Sequence, residues 1–130
     1  MSEESPFRAE LVRNGQHFAV IEVSGEASES AAPKFKEMLL KSIDGDARTV
    51  IVDFTAARLT DNAILGTLVG CAKWAQSRRV HLDVICVDQS ISRVFEITGL
   101  DRIIGVYGSR DEALRAERRG SSLTAKTGRS

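Results

Sequence analysis

Apolar residues of this chain fall into short runs that are typical of β-strands and into stripes that are typical of helices. Two such runs flank the dipeptide Asn14-Gly15, which is a strong signal for a β-hairpin. The second run, residues 18–23, is apolar at nearly every position and predicts a strand that is covered on both faces. Residues 49–54 are rich in β-branched side chains and predict a buried parallel strand. Two later runs, 80–87 and 102–107, predict the remaining strands.

Four helices are predicted from the spacing of apolar residues and from capping signals. Asp61 is the expected N-cap of the second helix, and Gly99 is the expected C-cap of the third. Ser109 and Glu112 match a capping box at the start of the fourth. Gly66 lies in the first turns of the second helix, where glycine is costly, so we expect close packing against it. The apolar stripes of the first three helices are Phe35, Met38, Leu39 and Ile43; Leu65, Leu68, Val69, Ala72 and Ala75; and Ile91, Val94, Phe95 and Thr98.

The order of the predicted elements is ββαβαβαβα. Strands that alternate with helices are typical of an α/β domain. We expect a mixed, mostly parallel sheet of about four to five strands with a hairpin at its start and about four helices. A chain of 130 residues fits one domain with a real core. Residues 117–130 are polar and without pattern, so we predict that this tail is disordered.

The charges of the chain balance, with 18 Lys and Arg residues against 18 Asp and Glu residues. A neutral chain gives no general reason to expect a nucleic acid or a membrane surface as partner. The longest apolar runs are too short to span a bilayer. The N-terminus has neither the basic start nor the apolar stretch of a signal peptide. A cytoplasmic protein is therefore predicted.

The sequence offers little catalytic chemistry. His17 and His81 each lie in a predicted strand, far in sequence from any residue that looks like a nucleophile. The glycine-rich motifs of nucleotide sites and the HExxH motif of zinc sites are absent from the sequence. Asp53 and Asp61 are interpreted first as strand-end and capping residues, with a catalytic pair as the weaker alternative. We predict no enzymatic activity, no cofactor and no metal site.

The two cysteines, Cys71 and Cys86, lack the spacing and the supporting histidines of a metal site. They are interpreted as small core residues. An alternative is a redox pair, in which oxidation would pull on the second helix if the two sulfur atoms approach each other. Cytoplasmic disulfides are rare, which favours the core interpretation.

Three stretches, in order and at matching distances, resemble the STAS domain family, which is named for sulfate transporters and anti-sigma-factor antagonists. Residues 23–35, VSGEASESAAPKF, are similar to the family's opening SGELDxxxAPxL. Residues 50–70 are similar to its central DLSxVxFIDSSGLGxLL. Residues 90–114 resemble its closing pattern, in which a helix that ends in LTGLD precedes a short strand and a last helix. The resemblance spans residues 7–116 and implies a small STAS-type α/β domain.

The resemblance implies a domain that works by binding. In the antagonists of this family, the loop and helix after the third strand contact an anti-sigma factor with an ATPase-like kinase fold, and this frees a sigma factor. The kinase reverses the capture by phosphorylating a serine of DSSG, which adds about −1.5 to −2 charges beside the interface. Carried over by alignment on the aspartate of DSSG, the implied partner-binding residues are Ser28, Thr60, Asp61, Asn62, Ala63, Ile64 and Leu65.

This phosphorylation switch is altered in the present chain. Asn62 and Ala63 replace the two serines of DSSG, and Ile64 replaces its glycine. Ser28 stands where GELD has its aspartate. Because Ala63 has no hydroxyl group, phosphotransfer at this position is impossible, and we predict a domain that is fixed in its binding-competent form. Ile64 is expected on the face that meets the partner, where it either fills a pocket of an altered partner or blocks the usual one.

Other hydroxyl groups near the lost serine are Thr55, Thr67 and Ser28. Thr60 is the best candidate for a replacement phosphorylation site, since it is expected in an exposed loop. The simpler interpretation is that Thr60 shares helix capping with Asp61.

Three hypotheses for function follow. The first is an anti-sigma-factor antagonist that regulates transcription by binding an anti-sigma factor of the kinase class and is not switched at the usual serine. The alternative is a STAS scaffold subunit of another signalling assembly or of a transport system, with some other regulatory protein as partner. The third is a sensor of a small ligand or nucleotide, for which the sequence shows no phosphate cradle. A large exposed apolar patch around Ile64, Leu65 and Leu68 would favour a protein partner.

Overall fold

A mixed β-sheet organises the chain, and its strands lie side by side in the order in which they occur in the sequence. The computed structural model describes residues 7–14, 18–59, 63–86 and 89–118. β1 runs antiparallel to β2, and the three later strands run parallel to β2. Within the described residues, the strands are β1 (Arg8–Asn14), β2 (Phe18–Ala27), β3 (Thr49–Leu59), β4 (His81–Ile85) and β5 (Gly105–Tyr107).

Helices connect the parallel strands and follow the last one. A short 3-10 turn, Glu29–Ala31, leads into the first helix, and a second, Leu100–Arg102, precedes β5. The α/β class, the mixed five-stranded sheet and the order ββαβαβαβα are confirmed. The antiparallel pair of β1 and β2 confirms the hairpin, whose turn residues 15–17 lie outside the described residues. The helices of the described chain are α1 (Ala32–Ile43), α2 (Ala63–Ser77), α3 (Gln89–Thr98) and α4 (Arg110–Arg118).

Strand ends are where the structure differs most from the sequence-based prediction. β2 continues to Ala27 and β3 to Leu59, beyond the predicted ends at 23 and 54. The two strands stay paired, after a register shift, until Ala27 lies opposite Leu59. Backbone pairing therefore extends both strands through residues whose side chains carry no strand pattern. β5 begins only at Gly105, because residues 100–102 form the 3-10 turn.

Helices cover both faces of the sheet and divide the core into two clusters. α1, α2 and α3 pack on one face, where they contribute Phe35, Leu68 and Phe95 to the larger cluster. α4 packs on the opposite face, where Ala113 meets a smaller cluster of strand residues. This cover on both faces accounts for the nearly continuous apolar runs of the central strands. The strand residues of the smaller cluster are Val20, Ile51 and Ile85.

Two of the predicted helix ends are confirmed. Gly99, after α3, has φ 79°, a left-handed conformation that glycine adopts without strain. At the start of α4, the Ser109 hydroxyl oxygen accepts a hydrogen bond from the Glu112 N–H at 3.2 Å. The Glu112 carboxylate in turn accepts the N–H of Gly108 at 3.1 Å, one residue earlier than in the usual capping box. The expected cap Asp61 lies outside the described residues.

A cluster of charged residues attaches α4 to the sheet. The carboxylate of Asp53, buried at the end of the apolar part of β3, accepts hydrogen bonds from the Thr55 N–H at 2.9 Å and from the Thr55 hydroxyl. Arg110, the first residue of α4, donates to Asp53 at 2.8 Å and to Glu22 of β2 at 3.2 Å. Burial raises the pKa of Asp53, but the hydrogen bonds from Thr55 and then those from Arg110 outweigh it and hold the pKa below its ordinary value. Asp53 thus acts as a structural anchor.

The Asp53 anchor predicts a pH dependence of stability. Because its pKa is lower in the folded chain, the carboxylate stabilises the fold above its unfolded pKa of about 3.9, and this contribution is lost as the pH falls through the folded pKa. Asp53→Asn is expected to lower the free energy of unfolding by about 1.5–3 kcal/mol at neutral pH and by progressively less in acid. Urea unfolding of both proteins across this pH range measures the difference. Glu22→Gln, which affects a half-exposed carboxylate, is the control and should cost at most about 1 kcal/mol. A loss for Asp53→Asn that does not shrink in acid would contradict the prediction.

Residues at both ends of the chain, 1–6 and 119–130, lie outside the described residues. α4 ends at Arg118, two residues beyond the predicted domain boundary at 116, and residues 119–130 are not described. The domain bounds and the disorder of the tail therefore stay predictions. Among the helices of the described residues, none has the length and apolar character needed to cross a membrane.

Candidate functional site

The predicted site lies where two neighbouring parallel strands end. Ser28 follows β2 directly, and residues 60–62 follow β3. Because Ala27 lies opposite Leu59, β2 and β3 end at the same end of the sheet. Thr60, Asp61 and Asn62 lie outside the described residues, so their roles stay predictions. The structure thus places the strand end that precedes Ser28 beside the strand end that precedes the altered DSSG segment.

Ser28 lies at the start of the 3-10 turn that leads into α1. Its backbone is extended, with φ −111° and ψ −176°, and its carbonyl accepts the N–H of Ala31 at 3.0 Å. Its hydroxyl lies 3.1 Å from the hydroxyl of Ser30. The 3-10 turn that Ser28 precedes contacts α2. Ser28 is half-buried and carries no charge where the family pattern has a carboxylate.

Ala63 is the first residue of α2 and presents only a methyl group. Its side chain is half-buried, and its carbonyl accepts a hydrogen bond from the Thr67 hydroxyl at 3.1 Å. The hydroxyl of Thr55 donates to Asp53. Two of the alternative hydroxyl groups considered above are therefore engaged in hydrogen bonds within their own segments.

Ile64 does not lie where the sequence comparison placed it. Its side chain is 0% exposed and packs into the larger core cluster together with Leu68. The expectation that Ile64 faces a partner is therefore wrong for its side chain, which points to the sheet. Ile64 and Cys71 are buried in place of Leu65 and Val69 of the predicted stripe, which are half-buried. The buried face of α2 is therefore rotated about the helix axis relative to the predicted stripe. A shift of one residue along a helix changes the direction of a side chain by about 100°.

A groove between α2 and α3 adjoins the start of α2. Its volume is about 460 Å³. Gly66 lies in it, and a methyl group added at Gly66 would meet no atom within 4 Å, so the predicted close packing at Gly66 is wrong. Ile97, three residues after Val94 on α3, is 75% exposed, which is unusual for a large apolar side chain. The groove is lined by Leu65, Gly66, Val69, Val94, Thr98 and Leu100.

Ile64, Leu65 and Leu68 do not form the exposed apolar patch that would have favoured a protein partner. Leu68, like Ile64, is buried, and Leu65 remains at the surface as a wall of the groove. Ile97 was missed by the sequence analysis. Its exposure could have been predicted, because Ile97 lies outside the apolar stripe of its own helix.

Charge near the site is modest. Arg58 of β3 and Glu26 of β2 lie opposite each other, with a closest N–O distance of 3.8 Å, and the Arg58 side chain is 81% exposed. An exposed pair at this distance contributes about 0–1 kcal/mol at most. Arg58 and Glu26 therefore partly compensate each other's charge at the ends of β2 and β3.

The two thiols of the described chain lie in its interior. Cys71 and Cys86 are both buried, and neither forms a disulfide within the described residues. Burial raises the pKa of the Cys71 thiol, which disfavours the reactive thiolate. No group of three or more His, Cys, Asp or Glu residues in the described ranges is placed to hold a metal ion.

Known proteins resemble this chain over most of its length. A family model described as STAS domain matches residues 8–113. The anti-sigma-B factor antagonist of Listeria monocytogenes is 32% identical over 100 residues, which cover 77% of this chain and 87% of the relative. That of Staphylococcus aureus is 29% identical over 89 residues, which cover 68% and 82%.

Solved structures show the same fold. An anti-sigma factor antagonist from Mycobacterium paratuberculosis superposes with a TM-score of 0.74 at 21% identity, over 87% of this chain and 95% of the other. The unphosphorylated form of the anti-sigma factor antagonist SpoIIAA superposes with a TM-score of 0.68 at 21% identity, over 88% and 97%. At this level of identity, the likeness concerns the fold alone.

Proposed function

Because the chain belongs to the STAS domain family, we propose that it is a cytoplasmic anti-sigma-factor antagonist that is held permanently in its binding form. Its partner is an anti-sigma factor of the ATPase-like kinase class. The observation that carries the proposal is Ala63, a residue without a hydroxyl group at the first position of α2. Relatives named anti-sigma-B factor antagonists, which align with most of the chain, support the choice of partner.

The partner surface in this proposal consists of Ser28, of Ala63 and Leu65 in α2, and of residues 60–62, which precede α2. The half-buried methyl group of Ala63 adds neither charge nor bulk to it. Ile64 supports this surface indirectly, because its fully buried side chain packs the first turn of α2 against the core. A helix start fixed in this way presents its neighbours without a conformational cost on binding.

Loss of the acceptor hydroxyl also removes the usual means of release. A kinase bound at this surface finds no hydroxyl at position 63, and the hydroxyl groups of Thr55 and Thr67 are engaged in hydrogen bonds. Release of the partner then depends on protein concentration or on another signal. Phosphorylation of Thr60 stays the alternative route.

Substitutions at position 63 test the proposal. Ala63→Glu is expected to weaken binding of the anti-sigma factor at least roughly tenfold, since it places a charge in a desolvated interface, and tenfold corresponds to about 1.4 kcal/mol. Ala63→Ser should bind like the wild type and become phosphorylated when ATP is added. The partner is first captured from a lysate of the source cells and identified by mass spectrometry, and affinities are then measured with the purified protein.

A matched control separates position 63 from charge in general. Gln76→Glu adds the same charge on an exposed position near the other end of α2 and should leave binding unchanged. Transfer of phosphate to the wild type would contradict the fixed state and point to Thr60. A partner that binds regardless of the residue at position 63 would support the alternative, a STAS scaffold subunit of another assembly.

A further inference from the structure

One long edge of the sheet is formed by β1. In the described residues this seven-residue strand pairs with β2 on one side only, and the edge at the other end of the sheet, β5, has three residues. An edge strand presents a row of backbone N–H and C=O groups to which another strand can add. β1 is long enough to accept such a strand.

The side chains of β1 alternate between the two faces of the sheet. Ala9 and Leu11 lie on the face covered by α1, because they pair with the core residues Val23 and Ile21. Leu11 is nonetheless 48% exposed. Arg8 and Glu10 lie on the opposite face, and both are exposed.

This pattern is complementary to itself. We propose that two copies of the chain associate through β1, antiparallel and about a two-fold axis at Ala9. In this register Arg8 of each copy lies opposite Glu10 of the other, and Phe7 lies opposite Leu11. Two opposite-charge pairs and two apolar pairs then flank the axis. Each stabilises the dimer in the way that a cross-strand pair stabilises a sheet. The inference goes beyond the proposed function, because it concerns a different edge of the sheet.

Alternative symmetric registers are disfavoured by charge. A two-fold axis perpendicular to the sheet keeps the helix-covered faces of both copies on one side. Residues directly opposite each other point to the same face, so the axis must pass through a residue that lies opposite its own copy. The alternative symmetric registers therefore place the axis at another residue of β1. An axis at Arg8 places the two Arg8 side chains opposite each other, and an axis at Glu10 does the same with Glu10. Like charges in direct opposition destabilise a strand pair. Charge therefore disfavours the two registers next to the one at Ala9, and the register shift after Leu11 disfavours registers centred further along the strand.

Two structural features set the extent of the pairing. The register of β1 against β2 shifts between Leu11 and Arg13, so the flat part of the edge ends at Leu11. Leu11 lies beside a shallow depression of about 290 Å³, which Met38 and Ser42 of α1 also line. In the pair, Phe7 of the second copy lies opposite Leu11 and covers this exposed side chain. The result is a closed dimer with one continuous sheet.

Charge exchange tests the dimer. The wild type is expected to change from monomer to dimer with rising protein concentration in sedimentation equilibrium. Arg8→Glu and Glu10→Arg, each alone, should raise the dimer dissociation constant at least about tenfold, because both ends of the pair then carry like charges. An equimolar mixture of the two single variants should form a heterodimer, and the double variant R8E/E10R should dimerise like the wild type.

Folding is monitored by circular dichroism, and both exposed sites should tolerate the exchange. A wild type that stays monomeric at every concentration would overturn the proposal. A dimer that neither single exchange weakens would overturn it as well, since it would use another surface. Binding of the anti-sigma factor by the single variants is expected to persist, which keeps this test separate from that of position 63.

Discussion

Replacing Ile64 by alanine is expected to lower the free energy of unfolding by about 2–5 kcal/mol. The side chain is 0% exposed and packs in the larger core cluster at the first turn of α2. Truncation removes its buried apolar surface and leaves a cavity that the sheet below cannot fill. The same truncation frees the helix start that carries Ala63, so partner binding should weaken together with stability.

Chemical denaturation of the wild type and of Ile64→Ala measures this effect. Leu65→Ala is the matched control, because it removes a similar volume from the next position of the helix, where the side chain is half-buried. Its loss should be clearly smaller. Equal losses for the two variants would show that Ile64 is not an anchor, and a smaller loss for Ile64→Ala would restore the expectation of a surface role.

Phe35→Ala is expected to cost about 3–5 kcal/mol. Phe35 of α1 is 0% exposed and lies between two other rings. Its ring centre is 6.3 Å from that of Phe7, nearly perpendicular, and 6.0 Å from that of Phe54. Such ring pairs contribute about 0.5–1.5 kcal/mol beyond their buried area. The substitution therefore loosens α1 from both the edge strand and the centre of the sheet.

Ile97→Ala serves as the control for Phe35→Ala, since its side chain is 75% exposed on α3. We expect a change within about 0.5 kcal/mol for this surface position. Both variants are compared by urea unfolding under the same conditions. A cost below about 1.5 kcal/mol for Phe35→Ala would mean that the three rings do not form a packed unit.

The order and kind of the elements could be predicted from the sequence because they depend on periodicity. Runs with both faces buried and stripes at helical spacing are properties of each segment alone. The ends of β2 and β3 could not be predicted in this way. Residues 24–27 are strand because β3 continues beside them, and that pairing is a property of two distant segments.

The orientation of α2 at the candidate site could not be predicted from the sequence. The resemblance assigned Ser28 and Ala63 to one site, and in the structure β2 and β3, which precede them, end side by side. Whether Ile64 or Leu65 faces the core depends on how α2 docks, and neighbouring residues of a helix point about 100° apart. Both residues are large and apolar, so the sequence alone does not distinguish them. The groove and Ile97 arise from the spacing of two helices, which no single segment specifies.

The side-by-side order of the strands has a consequence for how the chain reaches its native state. Each strand has as its neighbour the strand that precedes it in the sequence. Contacts between consecutive segments close shorter loops than contacts between distant ones, which lowers the entropy cost of forming each strand pair. During synthesis β1, β2 and β3 can pair before β4 has left the ribosome. The sheet can grow from one side as the chain emerges, and none of the five described strands has to insert between two that are already joined.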